Sequence, residues 1–308
     1  MSETSHSPTY AAWEPVSAPM VSVHCITFNH ERFIGKALDS FLEQQTSFAV
    51  EIVVGEDCST DDTRKIIENY MGRYPGRIRL VSSESNVGPA ANFERTLNAC
   101  HGKYVAICEG DDYWCDPTKV EQQVRFLERH NDYVLCFHDA VAFDESGFET
   151  CPQLPARLQR DASAQELIHA RPISTLTSCF RNVVTEIPAQ IRQSPIIDLC
   201  LWSLLGHHGR GKYLSGIRPA AYRKHAGGLM SLQSQAYRLR TTAQAFLCLA
   251  RYYERKNMPQ YASYFTRAAA VACGNALSKK DTLFALAALA DSLLFRPMRK
   301  MHALWSTR

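Results

Sequence analysis

The sequence predicts an α/β protein, with a mainly parallel β-sheet flanked by helices and an all-helical C-terminal appendage. Short apolar runs alternate with segments of helical periodicity between residues 20 and 140. This alternation is typical of parallel strands joined by crossover helices. From residue 231 onward, Ala, Leu, Tyr and Arg recur at helical spacing and strand-like runs cease. We therefore expect a flexible segment over 1–19, rich in Ser, Thr and Pro, a main domain over 20–230, and the helical appendage over 231–308.

The first half of the chain predicts five strands and four helices in alternation. The first strand is a short β-rich run, and the helix after it has apolar residues such as Phe33, Ala37 and Leu38 at helical spacing. Asp61 and Asp62 stand in the first turn of the next helix, where negative charge stabilises the helix dipole. The strands are predicted over 21–27, 50–55, 78–82, 104–108 and 133–138, and the helices over 31–45, 60–73, 89–99 and 117–130.

After residue 140 the pattern is less regular. Residues 140–197 contain scattered prolines and short strand-like pieces near 175–181. A helix is predicted over 198–205, and one or two strands are predicted over 212–222. The sequence of the appendage predicts three helices, near 233–256, 259–276 and 281–295.

Composition excludes several classes of protein. The chain has 308 residues, of which 45% are hydrophobic and 21% charged, so a disordered or collagen-like chain is excluded. The net charge of +3 gives no reason to expect a nucleic-acid partner. None of the eleven cysteines stands in a CxxC pair, and the N-terminus lacks the form of a signal peptide. The longest strongly apolar stretch, 282–295, is shorter than the roughly 20 residues that cross a bilayer. We therefore expect a cytoplasmic protein with reduced thiols.

Polar residues follow four of the predicted strands. The carboxyl ends of parallel strands meet at one edge of a sheet, and ligands bind there. Asp111 and Asp112 leave the fourth strand together, and two adjacent carboxylates repel each other unless a cation neutralises them. Their oxygens suit Mg²⁺ or Mn²⁺, although a helix cap or a solvated turn also explains such a pair. The residues that follow the strands are Asn29, Glu56, Asp57, Asn86, Gly88, Glu109, Gly110, Asp111 and Asp112.

Asp57 ends the second strand, where a carboxylate can accept the ring N–H of a pyrimidine base. Ser59 or Thr60 can cap the next helix, but this cap leaves Glu56 and Asp57 unexplained. The sequence has neither a GxGxxG nor a GxxxxGK[ST] motif, so a glycine-rich loop of those types does not hold phosphate. A diphosphate bound at this edge would therefore be held by a metal ion.

Three segments between residues 20 and 140 contain most of this predicted site. They read VSVHCITFNHERFIGKALDSFLEQ, EIVVGEDCSTDDT and ESNVGPAANFERTLNACHGKYVAICEGDDYWCDPTKVEQQVRFLE. Together they resemble the nucleotide-sugar half of a family 2 glycosyltransferase of the A-type fold. The resemblance implies a Rossmann-like sheet, a nucleoside diphosphate sugar donor, with a UDP-sugar favoured, and Mn²⁺ or Mg²⁺ as cofactor. The residues that we assign to donor binding on this basis are Thr27, Asn29, Glu56, Asp57, Asn86, Asp111 and His225.

The family's acidic metal motif falls on Glu109 to Asp112, with Glu109 in place of the usual first Asp. This difference leaves open which of Asp111 and Asp112 holds the metal and which faces the ribose. We assign the metal to Asp112 and His225.

The acceptor half, 141–230, matches the family more loosely, through IIDLCLWSLLGHHG and YRKHAGGLMS. The resemblance implies that Asp198 is the general base and that His225 lies beside the diphosphate and the metal. An inverting transfer requires one carboxylate opposite the departing diphosphate, so an acidic residue is reasonable there. A helix N-cap for Asp198 and a packed loop histidine for His225 are the alternatives.

The resemblance leaves the acceptor open, with a surface polysaccharide or lipid-linked glycan as the main expectation. A nucleotidyltransferase would need a Gly-rich basic loop after the first strand, and the sequence from Thr27 to His30 offers none. A non-catalytic scaffold is the other alternative, suggested by the helical appendage.

Charge is unevenly distributed along the chain. Residues 231–308 contain 12 lysines and arginines but only three acidic residues. Leucines form one stripe over 282–295, and Arg296, Arg299 and Lys300 follow at once. We expect the segment 281–300 either to contact the inner face of an anionic membrane or to pack on the main domain or a second subunit.

Overall fold

The structure is a computed structural model that describes residues 18–228 and 232–277. The strands are β1 (Val21–Thr27), β2 (Val50–Glu56), β3 (Ile78–Ser82), β4 (Tyr104–Ile107), β5 (Tyr133–Phe137), β6 (Ala140–Asp144), β7 (Gly147–Pro152), β8 (Cys179–Arg181), β9 (Arg210–Tyr213) and β10 (Ala220–Arg223). The helices are α1 (Ile34–Leu42), α2 (Thr63–Arg73), α3 (Pro89–Asn98), α4 (Lys119–Arg129), α5 (Ala164–Ile168), α6 (Ile197–Leu205), α7 (Gln235–Arg255) and α8 (Pro259–Leu277).

The larger sheet has the strand order β3-β2-β1-β4-β8-β5-β9. β1 pairs in parallel with β2 and β4, β2 with β3, and β5 with β9. The short β8 is antiparallel to both of its neighbours. β1 and β2 are buried along almost their whole length, as their continuous apolar sequences require. The predicted α/β class and the nine elements of the first half are thus confirmed in their predicted order.

A smaller sheet with the order β10-β6-β7 lies beside the acidic turn that follows β4. β10 joins this turn through Tyr113, whose backbone N–H and C=O both bond to Ala221. The strand-like stretch 212–222 therefore forms two strands in different sheets. This arrangement brings the segment after β10, which contains His225, to the acidic turn.

Helices α7 and α8 form a hairpin that packs on α6. Tyr253 and Phe265 of this hairpin are fully buried in the same core cluster as Trp202 of α6. The first two predicted helices of the appendage are confirmed. The third, over 281–295, and the segments 281–300 and 1–17 lie outside the described residues. In the described part of the chain, no helix combines the length and the apolar character that spanning a membrane requires.

Candidate active site

Asn29 holds together the two loops that follow β1 and β2. Its φ angle of 54° lies in the left-handed region, which Asn tolerates better than most residues. Its side-chain Oδ1 accepts the backbone N–H of Thr60 at 2.8 Å, and its own N–H donates to Ser59 Oγ at 2.9 Å. The structure therefore gives Asn29 a positioning role, and its contact with a nucleotide remains a prediction.

Asp57 is buried at the end of β2, where it fastens the loop that precedes α3. Its two carboxylate oxygens accept the backbone N–H groups of Val87 at 3.0 Å and Gly88 at 2.9 Å. Asn86 Oδ1 also accepts the Gly88 N–H, at 3.0 Å, and Arg95 Nη2 lies 3.3 Å from Asp57 Oδ1. Gly88 has a φ of 86°, a conformation that favours glycine. Asp57, which we assign to the base, and Asn86, which we assign to donor binding, are therefore brought together.

Glu56 and Thr27, which we assigned to donor binding, are both buried. Glu56 is fully buried, and its Oε1 accepts the N–H of Ser59 at 2.6 Å. Its Oε2 has no hydrogen-bond partner among the described residues. Thr27 is also buried, and a Cβ added to Gly110 would come within 2.7 Å of the Thr27 hydroxyl. Gly110 thus allows the ends of β1 and β4 to approach closely.

The three carboxylates after β4 have three different partners. Asp111 Oδ2 lies 2.9 Å from His225 Nε2. Asp112 is buried, and its Oδ1 accepts the backbone N–H of Arg223 at 2.7 Å. Glu109 Oε2 accepts the hydroxyl of Thr175 at 2.9 Å.

These environments shift the carboxyl pKa values in different directions. Burial raises the pKa of Glu109 to about 8, helped by the negative charges of Asp111 and Asp198. Burial and the charge of Asp111 also raise the pKa of Asp112. Burial acts in the same sense on Asp111, but the hydrogen bond with His225 and the nearby His30 outweigh it and lower its pKa. Asp111 is therefore the carboxylate of this turn that is best suited to remain ionised.

A set of side chains that can hold a metal ion lies at the mouth of this turn. His30, Asp111 and His225 each offer one ligand atom, and these atoms lie within 4.8 Å of one another. Two imidazoles and one ionised carboxylate are metal ligands, so the residues present fit a divalent ion.

The sequence analysis assigned the metal to Asp112 and His225. The structure brings His225 together with Asp111 and His30, whereas Asp112 Oδ1 accepts the backbone N–H of Arg223 in β10. Which of these residues binds a metal stays a prediction.

The sequence analysis did not assign a role to His30, a member of the cluster, or to Arg223, which lies next to it. The only sequence signal for His30 was its position in the loop of Asn29. The Cζ atom of Arg223 lies 4.5 Å from the centre of the Phe33 ring and 4.4 Å from the centre of the Phe143 ring. Its Nε donates to the backbone C=O of Asp111 at 2.8 Å.

Asp198 lies in the first turn of α6 and is partly buried. The N-cap position of α6 is Ile196, and no side chain caps the helix, so the N-cap alternative for Asp198 does not apply. Burial raises the pKa of Asp198 to about 6. A carboxylate with such a pKa can accept a proton near neutral pH.

Sequence comparisons identify relatives of this chain. Residues 22–181, just over half of the chain, match the sequence profile of the family described as Glycosyl transferase family 2. Uncharacterized proteins of Mycobacterium bovis and Mycobacterium tuberculosis are 37% identical over 213 residues, which cover 68% of this chain and 60% of theirs. This chain therefore spans about 60% of the length of those relatives. TuaG of Bacillus subtilis, whose name assigns it as a glycosyltransferase to teichuronic acid biosynthesis, is 30% identical over 200 residues, 63% of this chain and 75% of its own.

Solved structures share the fold. TarS 1–349 of S. aureus, in complex with UDP-GlcNAc, aligns with a TM-score of 0.63 and 20% identity over 91% of this chain and 82% of that one. A mannosyltransferase of Pyrobaculum calidifontis, in complex with GDP-Man and Mn²⁺, aligns with a TM-score of 0.55 and 18% identity over 97% of this chain and 88% of that one. The family profile, which matches more than half of the chain, shows that this chain belongs to glycosyl transferase family 2.

Proposed function

We propose that this chain is a metal-dependent, inverting glycosyltransferase that moves a sugar from a nucleoside diphosphate sugar to an acceptor hydroxyl. A UDP-sugar is the favoured donor, and a surface polysaccharide or a lipid-linked glycan is the favoured acceptor. The main support is the cluster of His30, Asp111 and His225 at the turn after β4, whose ligand atoms lie within 4.8 Å of one another. The negative charge of Asp198 also helps to raise the pKa of Glu109 in this turn.

The comparisons support the choice of donor and acceptor class. TarS was solved with UDP-GlcNAc and with UDP, and the Pyrobaculum enzyme with GDP-Man. The name of TuaG refers to an anionic cell-surface polymer. For a UDP-sugar, Asp57 is the residue we assign to the base, because it is a buried carboxylate at the strand end that the base would approach.

Asp198 has the central role in the proposed chemistry. Its carboxylate removes the proton of the acceptor hydroxyl while that oxygen forms a bond to the anomeric carbon of the sugar. The bond between this carbon and the diphosphate oxygen breaks, and the electron pair leaves with the nucleoside diphosphate. A single displacement of this kind inverts the anomeric configuration.

The leaving group needs positive charge on the opposite side. Asp111, His225 and the neighbouring His30 would hold the divalent ion, which would supply Lewis-acid stabilisation of the diphosphate. Arg223 adds a cation beside this cluster, in contact with the aromatic rings of Phe33 and Phe143.

A donor panel tests the proposal. Purified protein is incubated with UDP-, GDP- and dTDP-sugars, with Mn²⁺ or Mg²⁺ or with EDTA, and both donor hydrolysis and thermal protection are measured. We expect one class of donor, UDP-sugars, to protect the protein and to be hydrolysed slowly only when metal is present. Absence of both hydrolysis and metal-dependent UDP binding would contradict the proposal and favour a non-catalytic scaffold.

The stereochemical part has its own test. NMR of the first product formed from the active donor should show the anomeric configuration opposite to that of the donor. Retained configuration would overturn the single displacement while leaving the family assignment intact.

A further inference from the structure

We propose that His30 is a third protein ligand of the metal and that it makes this site select a first-row transition-metal ion, such as Mn²⁺ or Co²⁺, over Mg²⁺. The inference rests on the proposed function only in assuming that a divalent ion binds at Asp111 and His225. It adds a residue and a metal preference to that site.

The backbone at His30 is fixed by contacts that do not need its imidazole. Its N–H donates to Thr63 Oγ1 at 2.8 Å. Its C=O accepts the N–H groups of Phe33 at 2.8 Å and Ile34 at 2.9 Å, where α1 begins. Asn29, directly before it, locks the same loop to the loop after β2. The hydrogen bonds of this turn are therefore made by the backbone of His30, and its side chain is positioned by them.

The imidazole of His30 points into the cluster and lacks a hydrogen bond there. Its Nε2 lies 3.9 Å from Asp111 Oδ2, which is beyond hydrogen-bond distance. Its Nδ1 is buried and finds no partner within the described residues. The ring packs edge-on against the ring of His225 at 5.7 Å, and the side chain is only 15% exposed. Because Nε2 of His30 faces Asp111 from beyond hydrogen-bond distance, an ion between the three groups would give this nitrogen a partner.

The donor atoms set the metal preference. Mg²⁺ requires oxygen ligands in octahedral geometry and usually keeps several waters, whereas imidazole nitrogen suits transition-metal ions. Among the described residues, Asp111 is the carboxylate that belongs to this cluster. Asp112 Oδ1 bonds instead to the Arg223 backbone and Glu109 Oε2 to Thr175. Two imidazole nitrogens and one carboxylate would therefore hold the ion, and water or the donor diphosphate would supply further oxygens.

Metal titrations of the full chain without donor test the inference. Binding of Mn²⁺, Co²⁺ and Mg²⁺ is measured separately by calorimetry, and Co²⁺ also by its visible absorption. We expect the unmodified protein to bind Co²⁺ and Mn²⁺ at least about tenfold more tightly than Mg²⁺. His30→Gln should weaken Co²⁺ and Mn²⁺ binding by about tenfold or more, change the Co²⁺ spectrum, and leave Mg²⁺ affinity within about twofold.

Two further variants make the result decisive. His208→Gln removes an exposed histidine at the end of α6 and should leave every affinity unchanged. His30→Glu replaces the imidazole by an oxygen ligand of similar reach and should shift the preference toward Mg²⁺. Circular dichroism and thermal melting establish that each variant is folded.

The possible failures are distinguishable. An unchanged ratio of Mn²⁺ to Mg²⁺ affinity in both His30 variants, or an unmodified protein that binds the two ions equally, overturns the role of His30 whether or not sugar transfer is observed. A selective site in a protein that transfers no sugar supports the inference and contradicts the proposed function instead.

Discussion

At the residue scale, Asp198 is an acidic residue near the site that lacks a charged partner among the described residues. It is not paired with a described cation, and its pKa is raised to about 6 by burial. We expect Asp198→Asn to lower the rate of sugar transfer by about two to four orders of magnitude, because the amide cannot accept the acceptor's proton. UDP affinity, measured by calorimetry, should be unchanged. Loss of UDP binding in this variant would instead place Asp198 in the donor site.

The same pKa predicts a pH dependence. A base works only when it is deprotonated, so kcat should be constant above about pH 7 and fall by about tenfold for each pH unit below the pKa of Asp198, near 6. The pH profile of kcat at saturating donor and metal measures this limb. A flat profile down to pH 5 would show that Asp198 is not the base.

Asp111 and Asp112 are adjacent in sequence but have different partners in the structure. Asp111→Asn should weaken Mn²⁺ binding by at least about tenfold, because it removes the ionised ligand of the cluster. Asp112→Asn keeps an oxygen that can accept the Arg223 N–H and should change Mn²⁺ affinity much less. The opposite order of effects, measured by the same titration, would restore Asp112 as the metal ligand.

The sequence located these residues at a common edge but could not orient them. Periodicity and strand order predicted that the ends of β1, β2 and β4 would meet, which places Asn29, Asp57 and Asp111 at one rim. Which carboxylate faces outward depends on the turn after β4 and on its pairing with β10, more than 100 residues later. His30 carried no signal of its own for the same reason, since its partner His225 is brought to it only by that pairing.

At the element scale, the loop between β3 and α3 depends on one carboxylate from β2. Asp57 accepts the N–H groups of Val87 and Gly88 at the end of this loop and contacts Arg95 of α3. Asp57→Asn would turn an amide donor toward one of these N–H groups, at a cost of about 1–3 kcal/mol. We expect faster hydrogen exchange at Val87 and Gly88 and about tenfold or greater loss of UDP affinity.

Asp62→Asn provides the control for this prediction, because Asp62 is exposed and lies only five residues further along. It should change neither measurement. Normal UDP affinity in Asp57→Asn, together with faster exchange in the loop, would separate the structural role of Asp57 from base recognition.

Elements were predictable where local sequence decides them. Buried strands such as β1 read as continuous apolar runs, and helices such as α4 have one apolar face. The three-residue β8 lies within the strand-like stretch predicted near 175–181. The hairpin of β6 and β7 was not predicted, because short strands carry little periodicity. The same holds for α5, a five-residue helix that begins with a capping box of Ser163 and Glu166.

At the scale of the whole molecule, the helical hairpin of α7 and α8 shares a hydrophobic core with the main domain. Tyr253 is fully buried, and its hydroxyl lies 2.8 Å from Ser203 Oγ of α6 and 2.9 Å from His207 Nε2. Its ring stacks on Phe265 of α8. The hairpin therefore supports α6, the helix whose first turn carries Asp198, whereas the residues that we assign to the nucleotide lie in the loops after β1, β2 and β4.

This division predicts a selective defect. Tyr253→Ala should lower the free energy of unfolding by about 3–5 kcal/mol, because it leaves a large cavity and two polar groups without their partner. Since α6 loses its support, sugar transfer should fall well before the protein unfolds, while UDP binding, which uses the other half, should be retained.

Val271→Ala on α8 is the control, because Val271 is 63% exposed and its loss should alter neither stability nor transfer. Thermal melting, calorimetry with UDP and transfer rates at 20 °C decide the matter: equal losses of UDP binding and transfer in Tyr253→Ala would mean that the hairpin supports the whole fold rather than the acceptor half.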